Sequence, residues 1–552
     1  MKYYFLIIPF LIISAFNNYY SQNNLSQIDT FDNLFNMSNF SRHINFLGSD
    51  LFEGRGTGTT GGNLAAKYLA LEFNKIGLKP AGNDNTYYQN IPMHGSKALP
   101  SSRLILHNGS EAEELKLNQD YLLYQSGSQT FIPLPTDLVF VGYGIIAPEF
   151  DYNDYQAVDV EGKIVVFIEG EPFSNDKNFF EGEIPTIYSY PEAKQRIAIS
   201  RGARGSILIP LSVKDSNTWE KLKLDFAFEN ISLAYSVSSN FSAMVNDSAA
   251  QKLFHGSEYT LDNVIEMHST HKIKSFNLNT RLSFKGLFQE RDFIAQNVVG
   301  LLEGSDPKLK NRYIIVSAHY DHLGIGPVVN GDSIYNGVYD NAAGVAALLE
   351  IANAFSQSGI SQKRSILFLL LTGEEFGLLG SKYYTSNPIF PLYRTVANIN
   401  IDGIASFDNF TSIIGIGKEY STLKYFLEKV AQKYNLDLVD IPSQFASSES
   451  FSRSDQVSFA NAGIPALLVA EGLDYVNLTR EEGLEKYMEY STQYYHTPFD
   501  DLQLPINHNA ALQHIKILHS LIMDLANNDI EPEWNKGSPY LNTRLRSIAE
   551  QK

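Results

Sequence analysis

No cysteine occurs among the 552 residues of the chain. That absence removes disulfides, thiolate metal sites, thiol nucleophiles and a lipid-bearing cysteine together, so any metal must be held by His, Asp and Glu. Positive charge is also short. Against 61 Asp and Glu there are 43 Lys and Arg, a formal net charge of −18, and no Lys/Arg run forms a local patch. Such a chain repels phosphate backbones and anionic membranes, so no nucleic-acid partner is expected. Long apolar runs are missing too. The one at the N-terminus, Tyr3–Phe16, is shorter than the roughly 20 residues that a spanning helix needs, and Pro9 interrupts it. Placed after Lys2 and before the polar Asn17–Gln22, it reads as a cleaved export signal over residues 1–21. The expected location is periplasmic or extracellular, with no stable membrane insertion after cleavage. Neither the Gly-x-Ser-x-Gly elbow of a serine hydrolase nor a His-Glu-x-x-His helix is present.

What is present is ordinary globular material, 44% hydrophobic and 19% charged, enough to bury a large core. The glycine-dense Gly54–Gly62 reads as a flexible surface loop; without a Gly-Lys-Ser/Thr ending it is no phosphate cradle. It opens a helix whose apolar residues fall mostly on one face from Leu64 to Ile76, and Gly77 stops it. The texture then divides the chain. Residues 22–103 form a first part. Residues 104–285, with short β-rich runs such as Asp137–Tyr143 and Lys163–Ile168 between Gly, Pro, Asn and Ser, read as an inserted domain. Residues 286–530 alternate strand and helix, the pattern of an α/β layer fold, and 531–552 form a polar tail.

Four apolar runs in the α/β part predict buried strands: Tyr313–Ala318, Ile366–Leu371, Val396–Ile401 and Ala466–Ala470. Three of them run into a metal-competent side chain: His319, the Glu374-Glu375 pair, and Asp402. Open α/β sheets place ligands beyond the carboxyl ends of their strands. Asp321 follows His319 by two residues and is suited to hold the imidazole as an outer carboxylate. Asp340 stands where a helix N-cap belongs. Two adjacent carboxylates between Leu369-Leu370-Leu371 and Phe376 repel each other unless a cation or a proton intervenes, a demand that a metal ligand beside a general base would meet. His496, in Tyr495-His496-Thr497-Pro498, completes a set of imidazoles and carboxylates. Such a set suits two divalent ions bridged by one carboxylate, zinc being the best match.

These stretches resemble the secreted two-zinc aminopeptidases of metallopeptidase family twenty-eight with an inserted protease-associated domain. The matching segments are Ala318–Gly324, Asp340–Gly344, Gly373-Glu374-Glu375, Ile401-Asp402-Gly403, Ser454-Asp455, Gly463–Ala466 and Tyr495–Pro498, supported by Gly54–Gly58, Gly77–Gly82, Phe140–Gly144 and Tyr155–Lys163. The resemblance implies a three-layer zinc-exopeptidase fold, its mixed, mostly parallel sheet covered by helices on both faces, with a β-rich insert. It further implies that His319 and Asp402 bind one zinc, that Glu375 and His496 bind a second zinc or another divalent metal, and that Asp340 bridges them. Glu374 would be the general base for a metal-bridging hydroxide, Asp321 would orient His319, and Tyr495 would steady the oxyanion. His322 is read as a supporting residue and not a ligand. The implied activity is hydrolysis of the N-terminal peptide bond of peptides or proteins with a free N-terminus. The same scaffold also resembles glutaminyl cyclases and carboxypeptidases, and receptor ectodomains that have lost their ligands; here all the ligand positions are filled.

Overall fold

Runs of consecutive apolar residues need burial on both faces, and alternation of side chains divides each run between two cores. In the computed structural model Ile314, Val316, Ala318, Ile366, Phe368 and Leu370 enter one core. Ile315, Leu367, Leu369 and Leu371 enter the opposite one. The first core is closed by helices Met37–Leu47, Thr60–Ile76, Ala343–Gln357, Leu423–Lys433 and His508–Asn527. The second contains Tyr384, Phe459 and Trp534. The result is three layers, helices on sheet on helices. The structure describes residues 34–550 except 124–129, 174–175, 177, 181, 183–185, 212–215, 238–239, 443–444 and 446–448. The export segment read at residues 1–21 lies outside the described residues. No helix among the described residues is long and apolar enough to cross a membrane.

The strands of the central sheet run in the order Asn230–Leu233, Tyr88–Ala98, Phe288–Leu302, Ser365–Leu371, Tyr313–His319, Thr395–Asn400, Ala466–Glu471, Ser412–Ile416, Asp437–Val439, and Lys79–Pro80 also pairs with Phe288–Leu302. The four strands from Ser365–Leu371 to Ala466–Glu471 are mutually parallel, as expected, while most flanking pairs are antiparallel. Register settles what the carboxyl edge presents. His319 is level with Leu371 and Ser317 with Asn400, so the chain beyond these residues delivers His319, the Glu374 turn and Asp402 to one edge.

A second sheet, of eight strands, is built between Arg103 and Lys285. It is more than β-rich: helices Pro191–Ser200, Ser216–Asp225, Asp247–Leu253 and Leu261–Ser269 accompany it. Entry and exit run through one ribbon, because Tyr88–Ala98 pairs along its whole length with Phe288–Leu302. The short strand Asn230–Leu233 leaves the second sheet to extend this ribbon, and Arg291 fastens it by an ion pair with Glu229 at 2.6 Å. The stretch 531–552 is more than a polar tail. Trp534 is buried and its Nε1 donates to Gly463 O at 2.9 Å, and Leu541–Ala549 is helical.

Buried His514 links the helix His508–Asn527 to the sheet: Nδ1 accepts from the Ala405 N–H at 3.1 Å and Nε2 lies 3.0 Å from Val469 O. Burial lowers its pKa from 6.5 to about 4. The unfolded chain therefore binds a proton before the folded one does, so the contribution to stability is present above pH 6.5 and is lost as pH falls toward 4. Denaturation midpoints measured across this range should fall by an amount equivalent to roughly 3 kcal/mol from this group, and His514→Gln should flatten the slope. An unchanged slope in the variant would remove His514 from the acid response.

Candidate metal centre

The three strand ends and two loops converge as the register requires. His319 Nε2 lies 3.2 Å from Asp340 Oδ1 and 3.2 Å from Asp402 Oδ1. On the other side of Asp340, His496 Nε2 is 3.5 Å from Asp340 Oδ2 and 3.0 Å from Glu375 Oε2. Asp340 thus turns one oxygen to each group. Its backbone is extended (φ −113°, ψ 89°) and the helix starts only at Ala343, so its carboxylate is not consumed as the N-cap that the sequence suggested. His496 sits in the left-handed region at φ 57°, a conformation that turns the ring back toward Asp340 at some cost in backbone strain.

Asp321 behaves otherwise than read. The Asp321 carboxylate is 3.9 Å from His319 Nδ1, whereas the Asp321 carbonyl is 3.2 Å from it. The carboxylate accepts instead from Thr57 Oγ1 at 2.9 Å and from the Glu374 N–H at 3.3 Å. It therefore ties the Glu374 turn to the Gly54–Gly62 stretch, and the ring is held by the backbone. His322 is fully buried, with Nδ1 2.5 Å from Glu375 Oε1 and Nε2 without a hydrogen-bond partner. Among the described residues three triads have ligand atoms within 4.8 Å of one another: His319, Asp340 and Asp402; His319, Glu374 and Glu375; His322, Asp340 and Glu375. Tyr495 stacks on His496, with ring centroids 3.9 Å apart. Burial and the charges of Asp340, Glu375 and Glu374 raise its phenol well above the usual range, so it stays a hydrogen-bond donor.

Other members escaped the sequence reading. The Gly54–Gly62 stretch is no surface loop: Gly54, Arg55, Gly56 and Thr57 are buried. A Cβ at Gly54 would come within 2.3 Å of Tyr335 O, at φ +65°, so only glycine lets the chain pass. Arg55 donates Nε to Tyr320 O at 2.7 Å, Nη1 to Leu47 O at 2.9 Å and Asn336 O at 2.5 Å, and Nη2 to Gly337 O at 2.7 Å. These bonds hold both segments that carry His319 and Asp340. Asp500 accepts the N–H of Tyr339 at 2.8 Å and of Asp340 at 3.0 Å. Asn341 donates Nδ2 to Ile401 O at 2.9 Å and His319 O at 3.3 Å, and accepts the Gly403 N–H at 2.9 Å. Asn341, next to Asp340, and Arg55, within the matching stretch Gly54–Gly58, had a signal in sequence, though not for these contacts; Asp500 belongs to no spacing pattern. Ser454 is buried and accepts from Asn400 Nδ2 at 2.8 Å, which gives it a supporting place under the site.

Electrostatics tests whether this donor set fits a cation. Burial opposes ionisation of Asp340, yet His319 and His496 hold it well below the usual carboxylate range. Burial and the Asp340 charge work against Glu375, which His496 and His322 nevertheless keep at about 2. His496 rises against its burial to about 10 beside Glu375 and Asp340. Burial, with Asp402, Glu375 and Asp455, pushes Glu374 well up, against the pull of His319. His496 Nε2 lies close to two carboxylates but is aligned for a hydrogen bond to neither. Donors aimed at a common point, with excess negative charge and no sulfur, fit a divalent cation.

Residues 297–522 match the model described as Peptidase family M28. A "probable leucine aminopeptidase 2" of Aspergillus oryzae is 31% identical over 264 residues, covering 46% of this chain and 49% of that protein. Leupeptin-inactivating enzyme 1 of Streptomyces exfoliatus is 30% identical over 186 residues, 32% of this chain and 36% of that one. The chain thus spans half or less of these curated relatives. Among solved structures, an aminopeptidase from Aneurinibacillus sp. strain AM-1 superposes with a TM-score of 0.54 at 19% identity, over 90% of this chain and 96% of that one. At that identity the likeness establishes a shared fold.

Proposed function

Because residues 297–522 match the model described as Peptidase family M28, we propose that the protein is a zinc-dependent aminopeptidase that hydrolyses the N-terminal peptide bond of peptides. The observation that carries this reading is Asp340, which turns one oxygen to His319 and the other to His496 with Glu374 alongside. His319, Asp402 and Asp340 would hold one ion, and Glu375, His496 and Asp340 the other. Bound there, two divalent ions would supply Lewis acidity to the scissile carbonyl and make the attacking water acidic. Glu374 would take the proton of that water and hand it to the leaving amine, so the base is regenerated at each turnover. Asp321 fixes the Glu374 turn through its carboxylate and the His319 ring through its carbonyl. Tyr495, kept protonated, would donate to the developing oxyanion. Residues 104–285 would wall one side of the cleft as an inserted protease-associated domain. Export through residues 1–21 completes the reading.

The test is mass spectrometry of a mixed peptide pool, half with free and half with acetylated N-termini, incubated with the zinc-loaded protein. Stepwise loss from free N-termini alone is the expected outcome. Loss of ammonia from N-terminal Gln, or trimming from the C-terminus, would replace this reading by that of a cyclase or a carboxypeptidase.

A further inference from the structure

Between the second sheet and the turn that carries Glu374 lies a cavity of about 490 Å³. Its walls include Arg196 on the helix Pro191–Ser200, His94 and Ser96 on the ribbon strand Tyr88–Ala98, the strand Asn230–Leu233, and Phe376, Gly377 and Lys382 just after Glu375. In a chain of net charge −18 the sign of this cavity is reversed. Arg196 and Lys382 both line it, and among the described residues neither has an ion-pair partner. Burial and the nearby Arg196 depress the Lys382 ammonium, against the opposing charges of Glu192, Asp455 and Glu374, none of which lines the cavity. Ser96 Oγ and His94 Nε2 are buried without a hydrogen-bond partner, and both belong to the lining. A polar atom left unpaired in this way is paid for only if something else satisfies it.

The cavity is close to the chemistry. Gly377 N donates to Glu374 O at 2.9 Å, and a Cβ built on Gly377 would lie 4.0 Å from Lys382 Nζ. A turn spans less than about 7 Å between its end Cα atoms, so Lys382 Nζ lies within about 13 Å of the Glu374 backbone. An extended peptide advances about 3.4 Å per residue, so a chain of no more than about four residues spans the interval between the Glu374 turn and Lys382.

We propose that this cavity seats the free C-terminal carboxylate of short peptides, with Arg196 and Lys382 binding the carboxylate and Ser96 and His94 the last peptide group, so that tri- and tetrapeptides are preferred. The inference rests on the aminopeptidase reading and adds its substrate class. A planar carboxylate matches the fork of Arg196; the second cation and the unpaired polar atoms of Ser96 and His94 complete a seat that a longer chain, passing through, would not fill with charge.

The experiment compares kcat/KM for Leu-Gly-Gly and for an eight-residue peptide starting with Leu, each as free acid and as C-terminal amide, together with leucine p-nitroanilide. The proteins are the metal-loaded wild type and the double variant Arg196→Gln, Lys382→Gln. Amidation of the tripeptide should lower kcat/KM of the wild type by about tenfold to a hundredfold, the scale of one charge-assisted contact. The acid-to-amide ratio should approach one for the octapeptide and for the double variant. Since each ratio is taken within one preparation, incomplete folding of a variant cancels. Equal rates on acid and amide by wild type that cleaves leucine p-nitroanilide would overturn the carboxylate seat and leave the aminopeptidase standing. No release from any free N-terminus would overturn the parent reading. If acetate or inorganic phosphate altered p-nitroanilide turnover in the wild type but not in the double variant, the cavity would hold a separate anion, and the substrate-carboxylate assignment would fall.

Discussion

Glu374→Gln is expected to lower kcat/KM by about 10²–10⁴-fold, the range that a positioned acid-base group contributes, while the metal content and the fold stay as they are. The expectation of an intact fold has a physical ground. Burial and the surrounding Asp402, Glu375 and Asp455 carboxylates already favour a proton on Glu374 in the cation-free protein, and glutamine is the neutral near-isostere of a protonated glutamate. The turn itself is held by the main chain, through the Glu374 N–H on Asp321 and the Gly377 N–H on Glu374 O, so the substitution leaves its scaffold untouched. The cation-free variant should therefore unfold at a denaturant concentration equal to or above that of the wild type. Kinetics on leucine p-nitroanilide, metal analysis and a denaturation curve check the three parts separately. Activity within a factor of two of the wild type would exclude Glu374 as the base. Loss of metal together with activity would instead make it a ligand, as its place in the triad with His319 and Glu375 allows.

Asp340→Asn should be the more damaging change. The carboxylate faces His319 with one oxygen and His496 with the other, so one substitution weakens both groups of donors and removes a charge that both imidazoles accompany. Bound metal per chain should fall, and kcat/KM should drop by at least about a thousandfold, corresponding to the several kcal/mol that Lewis-acid catalysis supplies. Chelation of the wild type should reproduce the loss, and added zinc should restore the wild type but not the variant. The backbone support is independent of the altered side chain, since the Asp340 N–H is held by Asp500 and the next residue, Asn341, spans the His319 and Asp402 segments. The variant should therefore fold. Full metal content with wild-type turnover in Asp340→Asn would sink the shared-ligand assignment.

The two variants also separate what was legible in one dimension from what was not. Strands buried on both faces are written as unbroken apolar runs, so their positions, and the polar residue that follows each one, can be read locally. In that way His319, the Glu374-Glu375 pair and Asp402 were found, and the parallel register then brought them to one edge. The donor types followed from the absence of cysteine. Contacts made across long separations had no such signal. Arg55 reaches Tyr320, 265 positions away, and Asp500 holds the Asp340 N–H from 160 positions away; their value lies in which orphan backbone groups the packing leaves beside them. The same holds for Asp321, whose spacing from His319 suggested a carboxylate contact, while packing against Thr57 turned that carboxylate elsewhere. Sequence by itself determined the strands, the chemistry of the donors and the absence of thiol chemistry, because local hydrophobicity and residue type encode them. Tertiary structure alone decided which glycine-rich segment is buried, which backbone groups need a charged partner, and that Arg196 and Lys382 meet across one cavity, because these depend on which distant surfaces close against each other.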